Sequence, residues 1–292
     1  MKQINKVKDY KEFQKKIADY EAQVKIMCNK VRPHNVLIVS GDPGIGKSYR
    51  AEKILSAQNK VSYHMVNGSL SAVQLYNVMW NNNDSIIILD DVNSILQDSK
   101  DGASLLKACT ESKQVRVLQW QKQNPSCIPV SKYKPSDNVK VAEKMDEYVA
   151  NAGRKPLENS HIAGKTFPDM FYFTGAVIIL TNKSLASFDR VTEGAVSNRG
   201  THMEISFSID GAVDFIKKFG ATMTEFNGMQ IKKKTIDNVI KFLTSPEAIK
   251  YYHDNGKIPT LRNLGKIECL YQCGAKLELS LLDSNTEYPY CK

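Results

Sequence analysis

One stretch of eight residues, Gly41-Asp42-Pro43-Gly44-Ile45-Gly46-Lys47-Ser48, constrains the fold more than any other part of the chain. It matches the pattern G-x-x-x-x-G-K-[ST], in which backbone N–H groups surround a polyphosphate. The apolar run 35–40 before it is typical of a buried parallel strand, and apolar residues spaced three or four apart after Ser48 predict a helix. A strand, a glycine-rich loop and a helix in this order predict a parallel α/β sheet with a phosphate-binding site.

The loop predicts nucleotide chemistry, and a second motif supports it. Lys47 is expected to reach the β- and γ-phosphates, and the Ser48 hydroxyl to hold Mg²⁺. In residues 85–91, four apolar residues lead into Asp90 and Asp91. This pattern predicts a buried strand whose carboxyl end presents two carboxylates beside the loop. Asp90 is expected to bind Mg²⁺ through water and Asp91 to polarise the attacking water. The alternative is a strand capped by an Asx turn.

Two further polar residues follow later elements. The run 176–182 predicts another buried strand, and Asn182 at its end is expected either to orient the attacking water or to cap the next turn. Arg199 follows a short helix predicted over 189–196.

Other predicted elements are an amphipathic helix over 9–30, strands over 61–66 and 203–207, and helices over 72–80, 104–111, 211–219, 234–254 and 260–272.

This order of motifs resembles the AAA+ ATPases over about residues 30–270. The resemblance implies an α/β fold: a P-loop core with a five-stranded parallel sheet flanked by helices, followed by a small all-α lid domain. It implies ATP and Mg²⁺ as cofactors, Asn182 as sensor 1 and Arg199 as arginine finger. Arg262 is similar to the sensor 2 arginine, with a surface role as the alternative. Tyr49, next to Ser48, joins the predicted nucleotide contacts.

The resemblance also implies domains and an assembly. The predicted domains are an N-terminal helix in 1–33, an ATPase domain in 34–208 with a basic insertion at about 121–169, a lid in 209–275 and a tail in 276–292. In this family the arginine finger acts on nucleotide held by a neighbouring subunit. Such head-to-tail contacts generate homo-oligomeric rings or helical filaments. Hydrolysis is therefore expected to depend on assembly.

One residue departs from the family pattern. The family usually has Asp-Glu after the third strand, whereas this chain has Asp90-Asp91. Aspartate is one methylene shorter than glutamate, so hydrolysis is expected to be slower or the water to be held differently. Nucleotide binding does not depend on this difference.

The substrate is less constrained than the nucleotide. Runs 115–120 and 170–174 are predicted to pair as a hairpin whose lysine-rich tip follows a phosphate backbone. The alternative is a solvated lysine surface. The loop 66–71 lacks the aromatic residue with which unfoldases of this family grip protein. The organisation also resembles AAA+ ATPases of tailed bacteriophages. That resemblance implies remodelling of a DNA replication complex, as by a phage helicase loader or a DNA-linked motor, with DNA and a replication protein such as a helicase as partners. A protein remodeller and a slowly hydrolysing, ATP-dependent assembly switch are the rival hypotheses.

Composition adds limits on the partners and the compartment. The net charge of +9 and pI near 9.1 favour a polyanionic partner. The six cysteines are scattered, which is typical of reduced thiols in a cytosolic protein. No run approaches the roughly 18 apolar residues of a membrane span, and the first residues lack the apolar region of a secretory signal. A cytoplasmic location, host cytoplasm if the protein is viral, and no membrane partner are expected.

Overall fold

The computed structural model describes most of the chain outside the predicted basic insertion and the C-terminal tail. The described residues are 6–29, 33–59, 61–92, 100–113, 115–120, 122, 127–128, 167–184, 194, 196–226 and 228–282. Nearly all of the insertion lies outside them, and so does the predicted helix 189–196 apart from residues 194 and 196. No helix within these residues combines the length and the apolar content that a membrane crossing requires.

The helices and strands lie close to the predicted positions. In chain order they are α1 (Tyr10–Met27), β1 (Val36–Gly41), α2 (Lys47–Ser56), β2 (Tyr63–Asn67), α3 (Ala72–Asn81), β3 (Ile86–Asp90), α4 (Lys100–Cys109), β4 (Arg116–Gln119), β5 (Cys127–Ile128), β6 (Phe167–Pro168), β7 (Met170–Phe173), β8 (Ala176–Thr181), β9 (Thr201–Ile205), α5 (Ile209–Phe219), β10 (Glu225–Phe226), β11 (Met229–Gln230), α6 (Lys233–Leu243), α7 (Pro246–Asn255) and α8 (Leu261–Gln272). Three-residue or four-residue 3-10 helices lie at Ser197–Arg199, Gly220–Thr222 and Leu279–Leu282.

The five-stranded sheet has the order β2-β3-β8-β1-β9. β8 pairs in parallel with β1 on one side and with β3 on the other. All six residues of β1 and of β8 are buried, which explains why both strands are continuous apolar runs instead of alternating ones. The predicted fold class is confirmed: a parallel sheet is flanked by helices and followed in the chain by a helical region.

The contacts divide the chain into two compact units. One comprises Met1–Asp19, Gly41–Lys47 and Glu204–Lys292, and the other comprises Tyr20–Ser40 and Ser48–Met203. The predicted domain limits, which follow chain order, stay predictions.

In the unit that holds β3 and β8, an antiparallel ribbon of β4 and β7 covers part of the core. Its register runs from Arg116 opposite Phe173 to Gln119 opposite Met170, as predicted for the arms of the hairpin. Phe171 packs edge-on against Tyr76 and Trp80, with ring centroids 5.0 and 5.5 Å away. These aromatic pairs add to the burial of apolar area and hold the ribbon in place.

The other unit contains α5 to α8 and the start of α1. Phe13 packs against Phe207 and Phe215, at 5.2 and 4.5 Å between ring centroids. The helix predicted over 234–254 is divided into α6 and α7, because Ser245 caps α7 by accepting a hydrogen bond from the Ala248 N–H and proline follows the cap. A two-stranded ribbon of β10 and β11 lies within this helical region.

Candidate nucleotide-binding site

The glycine-rich loop has a backbone that only its own sequence accommodates. Gly44 and Gly46 have φ angles of +78° and +83°, which L-residues with a Cβ rarely adopt. A Cβ on Gly41 would lie 2.2 Å from the Ile205 carbonyl oxygen. The glycines of the motif therefore serve the turn and the close approach of the chain, as the pattern predicts.

Lys47 is the charged residue of the loop. It is the first residue of α2 and only 7% exposed. Its Nζ donates hydrogen bonds to the carbonyl oxygens of Gly41 (2.8 Å) and Asp42 (3.0 Å). These contacts hold a positive charge inside the loop, at the end of a helix that favours anions. Ser48 is half-buried at the next position, whereas Tyr49 is 67% exposed.

Asp42 links the loop to the chain after β9. Its Oδ2 accepts a hydrogen bond from the Phe207 N–H at 2.6 Å, and its own N–H donates to the Ile205 carbonyl oxygen at 3.2 Å. Burial raises the pKa of Asp42, while the Phe207 N–H and the charges of Lys47 and Lys6 oppose that rise. The pattern leaves this position unspecified, so the sequence contained no signal for the contact.

The first turn of α8 lies beside the same loop. A Cβ on Gly44 would lie 3.6 Å from the Thr260 Cβ and 3.7 Å from the Arg262 backbone nitrogen. Thr260 caps this helix by accepting a hydrogen bond from the Asn263 N–H at 3.1 Å. Arg262 is thus close to the loop in space although it is 214 or more residues away in the chain. Its side chain is exposed, and its role as sensor 2 stays a prediction.

Asp91 and Asn182 lie together at the carboxyl edge of the sheet. Asp91 Oδ2 accepts a hydrogen bond from Asn182 Nδ2 at 2.7 Å, and its Oδ1 accepts one from the Asn182 N–H at 3.3 Å. The Asp91 N–H donates to the Leu180 carbonyl oxygen at 2.9 Å. The sequence placed both residues at this edge, but only the structure shows that the amide holds the carboxylate.

The edge is shared by three strands. Asp90, half-buried, ends β3 opposite Leu180 of β8, and Ser40 near the end of β1 lies opposite Thr181. The carboxyl ends of parallel strands meet at one edge, so the two acids and the amide follow their strands at the same edge of the sheet.

Tyr20 is a neighbour of Asp90 that the sequence did not identify. The tyrosine is fully buried on α1, and burial first, then the Asp90 charge, raises the pKa of its hydroxyl. In the sequence Tyr20 belongs to an apolar stripe spaced three or four apart, which is typical of core residues. That pattern contains no sign of the polar contact.

Arg199 ends a 3-10 turn and is half-buried. Its guanidinium donates a hydrogen bond to the Lys107 carbonyl oxygen in the last turn of α4. A cation at a helix C-terminus is favourable because it faces the negative end of the helix dipole. The contact accounts for the position of Arg199 within one chain, and the arginine-finger role stays a prediction.

Comparisons with known proteins give limited similarity. No protein-family model matches the chain. An uncharacterised 36.7 kDa protein from the nrdC-mobD intergenic region of Enterobacteria phage T4 is 35% identical over 102 residues, which are 32% of this chain and 31% of that protein. The chain therefore matches about a third of that relative's length. The ADP form of the ORC2 protein from Aeropyrum pernix aligns with 91% of this chain and 66% of its own, at a TM-score of 0.40 and 11% identity. Similarity at that level carries no argument about the function of this chain.

Proposed function

We propose that the protein is an ATPase of AAA+ type that binds ATP with Mg²⁺ at the loop 41–48. The observation that carries the proposal is the loop itself. A buried strand leads into positive-φ glycines, and the buried Lys47 ammonium is held against the loop carbonyls. This set of residues fits a polyphosphate, because N–H groups and one ammonium converge at a helix N-terminus.

Each residue at the site has a proposed role. Lys47 and the loop N–H groups would hold the phosphates, and Ser48 with Asp90 would hold Mg²⁺, which supplies neutralisation of phosphate charge when bound. Asp91 would accept the proton of the attacking water. Asn182 would fix the Asp91 carboxylate through the bond at 2.7 Å. Arg199 and Arg262 would add positive charge, the former from a neighbouring subunit.

Nucleotide binding is tested with Lys47→Ala and a fluorescent ATP analogue. Loss of a charge-assisted contact of about 1.5–3 kcal/mol should weaken binding by roughly 10- to 150-fold. Lys53→Ala is the matched control, because Lys53 is an exposed lysine on the same helix. Equal affinity for wild type and Lys47→Ala would refute the proposal.

We further propose that the protein hydrolyses ATP as a homo-oligomer within a nucleic-acid complex, as in DNA replication. The net charge of +9 supports a polyanionic partner, and the similarity to a phage T4 protein supports a viral origin. A DNA partner predicts that DNA raises the ATPase rate and binds with a salt-sensitive affinity. Stimulation by a partner protein without DNA would favour the protein remodeller instead.

A slowly hydrolysing assembly switch is the second candidate. Both Asp91 oxygens accept hydrogen bonds from Asn182, and the shorter Asp replaces the usual Glu. ATP-driven assembly, seen by size-exclusion chromatography, with negligible turnover would favour the switch. Rapid turnover in the assembled state would exclude it.

A further inference from the structure

A second concave site lies in the C-terminal helical region. Its cavity of about 760 Å³ is formed by the first turns of α6, the end of α8 and the segment after α8. Lys232 and Lys234 contribute to it from the start of α6, and Lys276 contributes from the segment after α8. None of the residues that line it is acidic. The site is made of residues other than the glycine-rich loop and the predicted basic insertion.

The three lysines are exposed, and no carboxylate lies within ion-pair distance of them among the described residues. Their neighbour Lys233 differs, because it pairs with Asp237 at 3.1 Å and donates to the Ala221 carbonyl oxygen at 3.2 Å. Lys232 is also the N-cap of α6 and makes no side-chain cap. Cations at the positive end of a helix are unfavourable, so folding of this helix does not explain the lysines.

Two polar side chains that line the cavity, Thr235 and Gln272, are held in place by a buried carboxyl group. Glu268 is fully buried, and its Oε1 accepts hydrogen bonds from Thr235 Oγ1 and Gln272 Nε2, both at 2.6 Å. Gln272 Nε2 also donates to the Gln230 carbonyl oxygen at 3.0 Å. Thr235, Gln272 and Oε1 of Glu268 are thus engaged within the protein, whereas the buried Oε2 of Glu268 has no hydrogen-bond partner among the described residues. The ammonium groups are left to contact a ligand.

We propose that this cavity, the lysine pocket, binds the phosphodiester backbone of a single-stranded nucleic acid without regard to sequence. Lysine contacts phosphate as a point charge, and three ammonium groups on two segments suit a ligand with repeated phosphates. The amides of Asn238 and Gln272, which both line the cavity, already donate hydrogen bonds within the protein, to Tyr271 and to Gln230 and Glu268 respectively, so these donors do not read base edges. Tyr271 and Leu277 line the wall and offer apolar surface to sugars and bases.

The test measures binding of a fluorescent oligo-dT strand to the full chain by anisotropy at several salt concentrations. Loss of three phosphate contacts in K232A/K234A/K276A should lower the slope of log affinity against log salt by about 2, at about 0.7 per contact for single strands. An oligo-dA strand should give the same loss. K233A is the matched control, because it removes an adjacent lysine that is paired with Asp237, and it should leave the slope unchanged.

Three outcomes would overturn the proposal. The first is an unchanged slope in the triple variant, and the second is an equal change of slope in K233A. The third is binding of inorganic phosphate in the pocket without any effect on oligo-dT binding. A melting curve checks that the triple variant is folded. ATP-analogue binding separates the two sites, since the triple variant should bind the analogue as wild type does.

Discussion

At the scale of single residues, the backbone of Asp91 is unusual. Its φ of +51° lies in the left-handed region, and Asp91 is the one non-glycine residue with positive φ among those the structure describes. Asp and Asn visit this region more readily than longer side chains because they hydrogen-bond locally. The bonds from Asn182 to both carboxylate oxygens are such contacts. A glutamate at this position would lose that local support.

The Asp91–Asn182 contact predicts a specific kinetic effect. Asn182→Ala removes the Nδ2 donor and leaves the carboxylate free to turn, so we expect the ATPase rate to fall by roughly 10²-fold with unchanged ATP affinity. Asn81→Ala is the control, because its exposed amide on α3 bonds Asn77. Steady-state rates and ATP-analogue binding are the measurements. A parallel loss of affinity would mean that Asn182 supports the fold of the edge.

The buried carboxyl group of Asp42 predicts that the free energy of unfolding depends on pH. Burial raises the pKa of its carboxyl group in the folded chain above the unfolded value. The folded state therefore binds the proton more tightly, and the contribution of this group to stability is greatest below the unfolded pKa and is lost as pH rises through the folded pKa. Asp42→Asn keeps an acceptor for the Phe207 N–H without the charge. We expect the variant to gain in free energy of unfolding over wild type at pH 7.

The advantage of Asp42→Asn should shrink between pH 7 and pH 4, because the wild-type carboxyl takes up its proton as the pH falls through its raised pKa. Urea unfolding at both pH values, without nucleotide, measures it. A constant difference between the two proteins at all pH values would contradict the assignment to Asp42.

At the scale of elements, a buried arginine joins α4 to the strands. Arg116 is 1% exposed, and its guanidinium donates to the carbonyl oxygens of Cys109 (3.0 Å), Lys113 (3.2 Å) and Gly175. It also lies 5.0 Å from the centroid of the Phe173 ring. The end of α4, β4 and the turn between β7 and β8 thus share one cation.

Arg116→Met should be strongly destabilising, because it leaves buried carbonyl groups without their donor. We expect a loss of about 2–4 kcal/mol in the free energy of unfolding. Arg50→Met is the comparison, since Arg50 pairs with Glu21 at 2.6 Å in a partly exposed position, where such pairs contribute about 1 kcal/mol or less. Urea unfolding measures both. Equal losses would show that Arg116 has no special role.

At the scale of the whole molecule, the predicted head-to-tail assembly can be tested through Arg199. Its guanidinium is bonded to Lys107 within the chain, whereas the arginine-finger prediction requires it to act on a neighbour. Lys47→Ala lacks a binding site and keeps the finger, and Arg199→Ala lacks the finger and keeps the site. A head-to-tail assembly pairs one subunit's site with the next subunit's finger.

Each variant alone should be nearly inactive, because an arginine finger contributes around 10³–10⁵ in rate. An equal mixture should recover about one quarter of the wild-type rate, the share of interfaces with both groups intact. The measurement is the ATPase rate of each variant and of the mixture at one total protein concentration. A mixture no more active than its components would refute action in trans.

The sequence alone determined the elements that depend on local patterns. Continuous apolar runs identified β1, β3 and β8, because a strand buried on both faces needs apolar residues at every position. The glycine spacing identified the loop, because its backbone conformation needs glycine at fixed positions. The pairing of runs 115–120 and 170–174 was also predicted, because they flank one long insertion, and residues 116–119 do pair with 170–173.

Only the tertiary structure decided which polar groups meet. Asn182 holds Asp91, Asp42 meets Phe207, and Arg116 reaches Gly175 across 59 positions of the chain. Hydrogen bonds between distant residues depend on directions that the chain acquires when its strands and helices pack, and such directions leave no periodicity in the sequence. The phosphate-binding chemistry of the loop could therefore be predicted from the residue order, whereas the hydrogen bonds between distant polar residues could not.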